Sequence, residues 1–298
     1  MAGILADILA VLTFRAGFNT TVVMLGAAAL GCAAGAAGTF AMLRRKALVS
    51  DAVAHGTLPG IAAAFLVAAL LGQAPRQVGW LMGGAGVAAA LTLLAIEWLG
   101  RRPKVGHDTA TAAVLACGFG LGLALMSVVQ TLSVGRQAGL ETLLFGSAAG
   151  MLPGEAQAMA GLAVLVLAVI ALGLKEFSAV AFDPDFAATV GLPVARLDGA
   201  VALVCAVVVV AALPIAGFVL AVALVVIPPA AARFWSDRAG IVVAVAAAFG
   251  AVSAFTGAAL SAVVADTPTG PAIVIVAALI FAVSLVFGRA RGLLAGSR

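Results

Sequence analysis

The chain has 298 residues, of which 64% are hydrophobic and 9% are charged, and its formal net charge is +4. A mean hydropathy of +1.25 is too apolar for the surface of a water-soluble globule, so soluble classes are excluded. The composition predicts a polytopic protein surrounded by membrane lipid.

The predicted elements are all helices. Backbone amides in the hydrocarbon core must be satisfied within the chain, and uninterrupted runs of Ala, Val, Leu and Gly favour helices over the alternating pattern of barrel strands. A helix needs about 20 apolar residues to cross a bilayer. We therefore predict an all-α bundle of nine spans, at residues 19–43, 51–72, 78–99, 109–132, 155–174, 197–213, 214–232, 239–263 and 271–288. Leu213-Pro-Ile-Ala-Gly217 is either a tight turn between two spans or a kink in one longer helix, and a kink reduces the count to eight.

The basic residues predict the orientation. Short cytoplasmic loops carry an excess of Lys and Arg. Nine spans with the N-terminus outside place all but Arg15, Arg76 and Arg136 of the 16 Lys and Arg residues on the cytoplasmic side. We therefore expect an outer N-terminus and a cytoplasmic C-terminus. The positive net charge then reflects topology, and no nucleic-acid partner is expected.

Asp51 and His55 are the candidate metal-binding residues. They lie one helical turn apart at the start of the second span, so both side chains share one face of the helix. Ionisable groups at membrane depth are costly and usually face a cavity or pathway. A carboxylate with an imidazole suits zinc, manganese or ferrous iron, and no thiolate pair accompanies it. The alternative is a structural His–Asp hydrogen bond that ties this helix to a neighbour.

A polar stretch from Lys175 to Arg196 separates the fifth and sixth spans. Asp183 is a suitable N-cap with Pro184 at the first helical position, and Gly191 followed by Pro193 predicts the stop. The result is a short helix on the cytoplasmic side. Its apolar face, which includes Phe182 and Phe186, either docks on a partner or packs on the protein's own inner surface.

Five motifs in order resemble the permease subunit of the ABC importers for zinc, manganese and iron. They are Leu43-Arg-Arg-Lys-Ala-Leu-Val-Ser-Asp51 with His55 and Leu58-Pro-Gly60, Leu144-Phe-Gly-Ser147, Phe182-Asp-Pro-Asp-Phe186 with Gly191-Leu-Pro193, Leu224-Val-Val-Ile-Pro-Pro-Ala-Ala-Ala-Arg233, and Asp266-Thr-Pro-Thr-Gly270. The resemblance covers nearly the whole chain and matches the predicted topology.

The resemblance implies one transmembrane permease domain over residues 1–298, working as a homodimer in the bacterial plasma (inner) membrane. It also implies two partners, a separate ATP-binding cassette ATPase and a periplasmic or lipid-anchored metal-binding protein. The segment at about 183–193 would be the coupling helix that inserts into the ATPase, and Asp51 and His55 would line the metal path along the two-fold axis. The residues expected to couple the permease to the ATPase are Phe182, Asp183, Asp185, Phe186 and Gly191.

Transport by this chain would need no resident cofactor, since zinc or manganese is its cargo. The sequence contains no GxxxxGK[ST] phosphate loop, so we expect ATP hydrolysis by the partner and no enzymatic activity here. Two alternatives stay open. One is an ABC permease for a metal chelate or cobalamin, and the other is a proton-coupled secondary transporter with carboxylates on broken helices.

Overall fold

The computed structural model describes residues 17–72, 77–131, 146, 150–264 and 267–294. Within these residues the chain is helical and contains no strand. In chain order the helices are α1 Phe18–Leu43, α2 Leu48–Leu70, α3 Val78–Gly100, α4 His107–Thr131, α5 Pro153–Leu172, α6 Leu174–Phe182, α7 Pro184–Thr189, α8 Val194–Ala232, α9 Ala239–Val263 and α10 Thr269–Phe287. The all-α prediction is confirmed.

Eight helices of the described chain are long and apolar enough to cross a membrane, namely all but α6 and α7. Apart from the boundary between 213 and 214, which lies inside α8, each predicted end of a span lies within three residues of an observed helix end. The sequence interpretation missed α6, because Lys175 and Glu176 made that segment look like loop. Of the motif Leu144-Phe-Gly-Ser147 only Gly146 belongs to the described residues, and Asp266 and residues 1–16 lie outside them.

The longest helix, α8, has 39 residues, and its backbone leaves helical geometry at Gly217, with φ 67° and ψ 172°. Two contacts with α1 show that the chain reverses there. The Cys205 thiol donates to the Ala37 carbonyl at 3.4 Å, and the Val225 carbonyl lies directly against Gly38. Twenty residues of straight helix would hold Cys205 and Val225 about 30 Å apart. The two arms of α8 are therefore antiparallel. Because α8 counts as one of the eight candidate spans, nine crossings stay a prediction.

The two faces of the bundle differ sharply in charge. Arg44, Lys46, Glu97, His107 and Asp198 line one small cavity, which places the end of α1 beside the α3–α4 connection and the start of α8. All twelve Lys and Arg residues of the described chain lie at this end or in the helices and connections on the same side. We call it the basic face. By the positive-inside rule, we predict that it is cytoplasmic.

The centre of the bundle is α1, of whose 26 residues 15 are buried. It packs against α9, α8 and α5. The backbone of Gly31 touches that of Gly250, and Gly35 touches Ala246, so α1 and α9 run antiparallel with almost no side chain between them. Small residues allow this close approach, which replaces the hydrophobic effect as the source of helix association in lipid.

Candidate metal site and coupling segment

Helix α2 carries the candidate site on its one uncovered stripe. Asp51, His55, Pro59, Ala63 and Val67 recur every four residues and are half-buried or exposed, whereas most other residues between the ends of the helix pack on its neighbours α3, α4 and α8. The side chain of Asp51 is 34% exposed and that of His55 is 19% exposed. Neither side chain is sealed in the packed interior of the protomer.

The structure brings the two predicted ligands together. The Nε2 atom of His55 lies 3.4 Å from the Oδ1 atom of Asp51. Their pairing stays within one helix, and the contacts of the His55 ring with other helices are aromatic. These are an edge contact with Phe119 of α4, with centroids 4.9 Å apart, and a tilted contact with Phe218 of α8 at 5.0 Å. Among the described residues, the pair therefore does not tie α2 to a neighbour by a hydrogen bond between helices.

Two polar atoms at this site lack ordinary partners. The Nδ1 atom of His55 is buried and has no hydrogen-bond partner in the described part of the protein. Pro59 lies inside α2 and has no N–H, so the usual α-helical bond to the carbonyl oxygen of His55 is missing. Buried polar groups are normally satisfied, and an unpaired one calls for an explanation such as a bound ion or water.

One protomer offers too few ligands for a closed metal site. Among the described residues, no group of three or more His, Cys, Asp or Glu side chains could hold an ion together. Ser50 and Thr57, which could have supported the ligands, instead donate to the Ala47 and Ala54 carbonyls of their own helix at 2.6 Å. A divalent cation at Asp51 and His55 would need water, backbone oxygen or a second chain to complete its coordination.

The turn at Gly217 places one of the two aromatic neighbours of His55. A φ of 67° with ψ 172° is a conformation that only glycine adopts without strain. The next residue, Phe218, is thereby held against His55. Sequence reasoning found the glycine but missed both phenylalanine rings that contact His55, because nothing in the spacing of Phe119 and Phe218 links them to α2.

The predicted short helix is present as α7. The Oδ1 atom of Asp183 accepts a hydrogen bond from the Phe186 amide at 2.9 Å, with Pro184 at the first helical position. Gly191 ends the segment with φ 85°. Phe182 and Phe186 are each 58% exposed, and Asp185 is exposed as well. These side chains are not covered by the protein's own surface in the described residues.

A partly buried ion-pair cluster that the sequence interpretation missed lies beside this segment. The Asp198 carboxylate accepts from Nε and Nη2 of Arg44 at 2.8 and 2.7 Å and from Nζ of Lys46 at 3.0 Å. Nearby, His107 begins α4, and its Nε2 atom lies 3.5 Å from the Oε1 atom of Glu97. No sequence signal predicted the pairing with Asp198, since its partners are about 150 residues away along the chain.

Fold and site together define a polytopic helical membrane protein with a partly exposed acid–imidazole pair on one helix. Residues 19–288 match the family model of the ABC 3 transport family, and the chain belongs to that family. With its eight apolar helices, it is a multi-pass protein of the plasma membrane.

The relatives agree with this assignment. Over 279 residues the chain is 35% identical to the manganese transport system membrane protein MntC of Bacillus subtilis (strain 168), covering 93% of this chain but 62% of that protein. It is 35% identical to the zinc transport system membrane protein TroC of Treponema pallidum (strain Nichols), covering 91% and 90% of the two chains. The fold is similar to a chain of PsaBC from Streptococcus pneumoniae in complex with Fab, with a TM-score of 0.79, 24% identity and coverage of 99% and 100%.

Proposed function

We propose that this chain is the permease subunit of an ATP-driven importer that moves manganese or zinc ions across a bacterial plasma membrane. The observation that carries the proposal is the Asp51–His55 pair on the uncovered stripe of α2. Among the Asp, Glu, His, Lys and Arg side chains in the described spans, His55 lies farthest from a helix end. Such groups within a membrane mark ion pathways by default.

The permease works as a homodimer with the pair near the two-fold axis. Two protomers would supply two carboxylates and two imidazoles, a set that suits manganese, zinc or ferrous iron. The unpartnered Nδ1 atom of His55 supports a ring that is oriented for an ion. Few protein ligands per ion also favour release, which conduction requires.

Energy comes from a separate ATPase that binds the basic face at the coupling segment, residues 183–193. The exposed Phe182 and Phe186 provide an apolar contact for a groove on that partner, since exposed apolar patches mark interaction sites. A metal-binding protein delivers the ion at the opposite face. Alternating access follows when nucleotide-driven movement of the ATPase changes the side from which Asp51 and His55 are reached.

The test measures metal binding and uptake separately. Purified permease carrying Asp51→Asn or His55→Gln is titrated with Mn²⁺ and Zn²⁺, and uptake is measured in proteoliposomes with the ATPase and the binding protein. We expect each variant to bind at least about 10–100-fold more weakly, the loss known for groups that merely support a ligand. His107→Gln is the matched control, because His107 is the other histidine of the chain.

Four results would contradict the proposal. Unchanged binding by both variants would remove the metal site, and loss of assembly with normal binding per folded protein would indicate a structural pair. Uptake that needs no ATPase and follows a proton gradient would instead identify a secondary transporter. Uptake of a metal chelate or cobalamin in preference to the free ion would identify the other alternative class.

A further inference from the structure

We infer that Arg44, Lys46 and Asp198 form a clamp that transmits movement of the coupling segment to α2 and hence to Asp51 and His55. The inference rests on the proposed function and assigns positioning roles to three residues outside the metal site. The clamp is defined by the paired contacts of Asp198 with the two cations.

The contacts are directional and shielded from solvent. Arg44 grips Asp198 with two parallel hydrogen bonds of 2.8 and 2.7 Å, and Lys46 adds a third of 3.0 Å. The side chain of Asp198 is only 10% exposed. A bidentate guanidinium–carboxylate pair fixes both distance and angle, which a lone ammonium contact does not.

Arg44 holds both ends of the coupling segment at once. Its Nη1 atom donates to the Val180 carbonyl of α6 at 3.0 Å, while Nε and Nη2 bind Asp198 in the first turns of α8. Val180 lies three residues before Asp183, and Asp198 lies five residues after Pro193. When an ATPase displaces residues 183–193, both anchors of the displaced segment pull on the same side chain.

The clamp is also connected to the metal site, through the turn between α1 and α2. Arg44 and Lys46 belong to the tight turn between α1 and α2, in which Arg45 has φ 57° and the Lys46 amide donates to the Ala41 carbonyl at 2.8 Å. Helix α2 begins at Leu48, and Asp51 follows in its first turn. Because the turn is short and hydrogen-bonded, a force on these two side chains is passed to the start of α2.

Packing of α8 on both α7 and α2 also joins the two regions. Helix α7 packs on α6 and α8 and makes no extensive contact with α2. Energetic coupling between distant sites travels through packed or hydrogen-bonded networks with discrete arrangements. The clamp is such a hydrogen-bonded network. Removing its one anion would leave two neighbouring cations that repel each other.

The experiment uses the complete transporter in proteoliposomes, with ATPase and binding protein, and measures Mn²⁺ transported per ATP hydrolysed by assembled complex. Asp198→Asn keeps the side-chain shape but removes the charge. The matched control is Asp237→Asn, which breaks the exposed Asp237–Arg291 pair of 2.7 Å on the same face. We expect the ratio to fall about tenfold for Asp198→Asn, within the range for residues that carry coupling, and to stay within about twofold for the control.

A second variant and a second measurement separate transmission from stability. Arg44→Lys keeps the positive charge but loses the two parallel hydrogen bonds to Asp198. We expect a fall in the transport ratio between that of the wild type and that of Asp198→Asn. The affinity of the isolated permease for Mn²⁺ should be unchanged in both variants, because neither residue touches the metal site. A wild-type ratio per assembled complex in Asp198→Asn and Arg44→Lys would overturn the clamp, however much either variant lowers assembly. Absence of ATP-dependent uptake by the wild-type complex would instead refute the proposed function.

Discussion

Replacing Gly31 by Ala adds one methyl group where the backbones of α1 and α9 touch. A Cβ atom at this position would lie 2.6 Å from the carbonyl carbon of Gly250 and 2.9 Å from the Cβ atom of Ala254, whereas ordinary van der Waals contact begins at 3.4 Å. Neither obstacle is a flexible side chain. The two helices would have to separate by about 1 Å, and dispersion contacts along their whole interface would weaken.

The expected cost follows from two opposing terms. Overpacking of this kind lowers the free energy of unfolding by about 1–3 kcal/mol. Alanine recovers about 0.5–1 kcal/mol because it is a better helix former than glycine. Because neither obstacle can move aside, the cost lies in the upper half of the overpacking range, about 2–3 kcal/mol. The expected net destabilisation is then about 1–2.5 kcal/mol, which corresponds to a fall in Tm of several degrees at about 2–4 °C per kcal/mol.

Gly86→Ala is the matched control, because a Cβ atom on Gly86 in α3 would meet nothing within 4 Å. Only the helix-propensity term applies there, so Tm should rise slightly. Thermal unfolding in detergent can be followed with a thiol-reactive dye that reports exposure of buried Cys205. A Gly31→Ala protein as stable as the wild type would refute the backbone contact between α1 and α9 and the packing derived from it.

Three further predictions concern the turn, the coupling segment and the orientation. Gly217→Ala should destabilise the protein by about 1–3 kcal/mol, because φ 67° with ψ 172° strains any residue with a Cβ atom; an unchanged Tm would contradict the turn geometry. Phe186→Asp should abolish ATPase association in a pull-down. Leu293→Ser should not, although Leu293 is an even more exposed apolar residue of the basic face, and equal effects of the two changes would remove the special role of α7. In a background without native cysteines, an impermeant thiol reagent added outside cells should label Gln77→Cys but not Arg101→Cys, and the reverse pattern would invert the predicted orientation.

Much of the architecture was predictable because each span carries its own signal. Runs of about 20 apolar residues are required by bilayer thickness, so span positions do not depend on distant contacts. The cap at Asp183 and the stop at Gly191 were predictable for a similar reason, since both act on the backbone within a few residues. The i, i+4 spacing likewise placed Asp51 and His55 on one face before any packing was known.

Tertiary structure decided what surrounds those local features. Pro214 and Gly217 allowed either a kink or a reversal, and only the contacts of Cys205 and Val225 with α1 show that the arms are antiparallel. Contacts between residues far apart in sequence leave no local pattern. The two phenylalanine rings that contact His55 and the three-residue clamp were therefore not predictable.

This difference between predictable local features and unpredictable tertiary contacts has one physical cause. Membrane thickness, backbone hydrogen bonding and helical periodicity act on consecutive residues, and the order of the 298 residues alone therefore determined an all-α, multi-span chain with an acid–imidazole pair on one helix. Which helix faces touch depends on how the small residues of one helix pack against those of another, as at Gly31 and Gly250. Only the assembled bundle decided that Asp198 reaches Arg44 and that His55 lies between two aromatic rings.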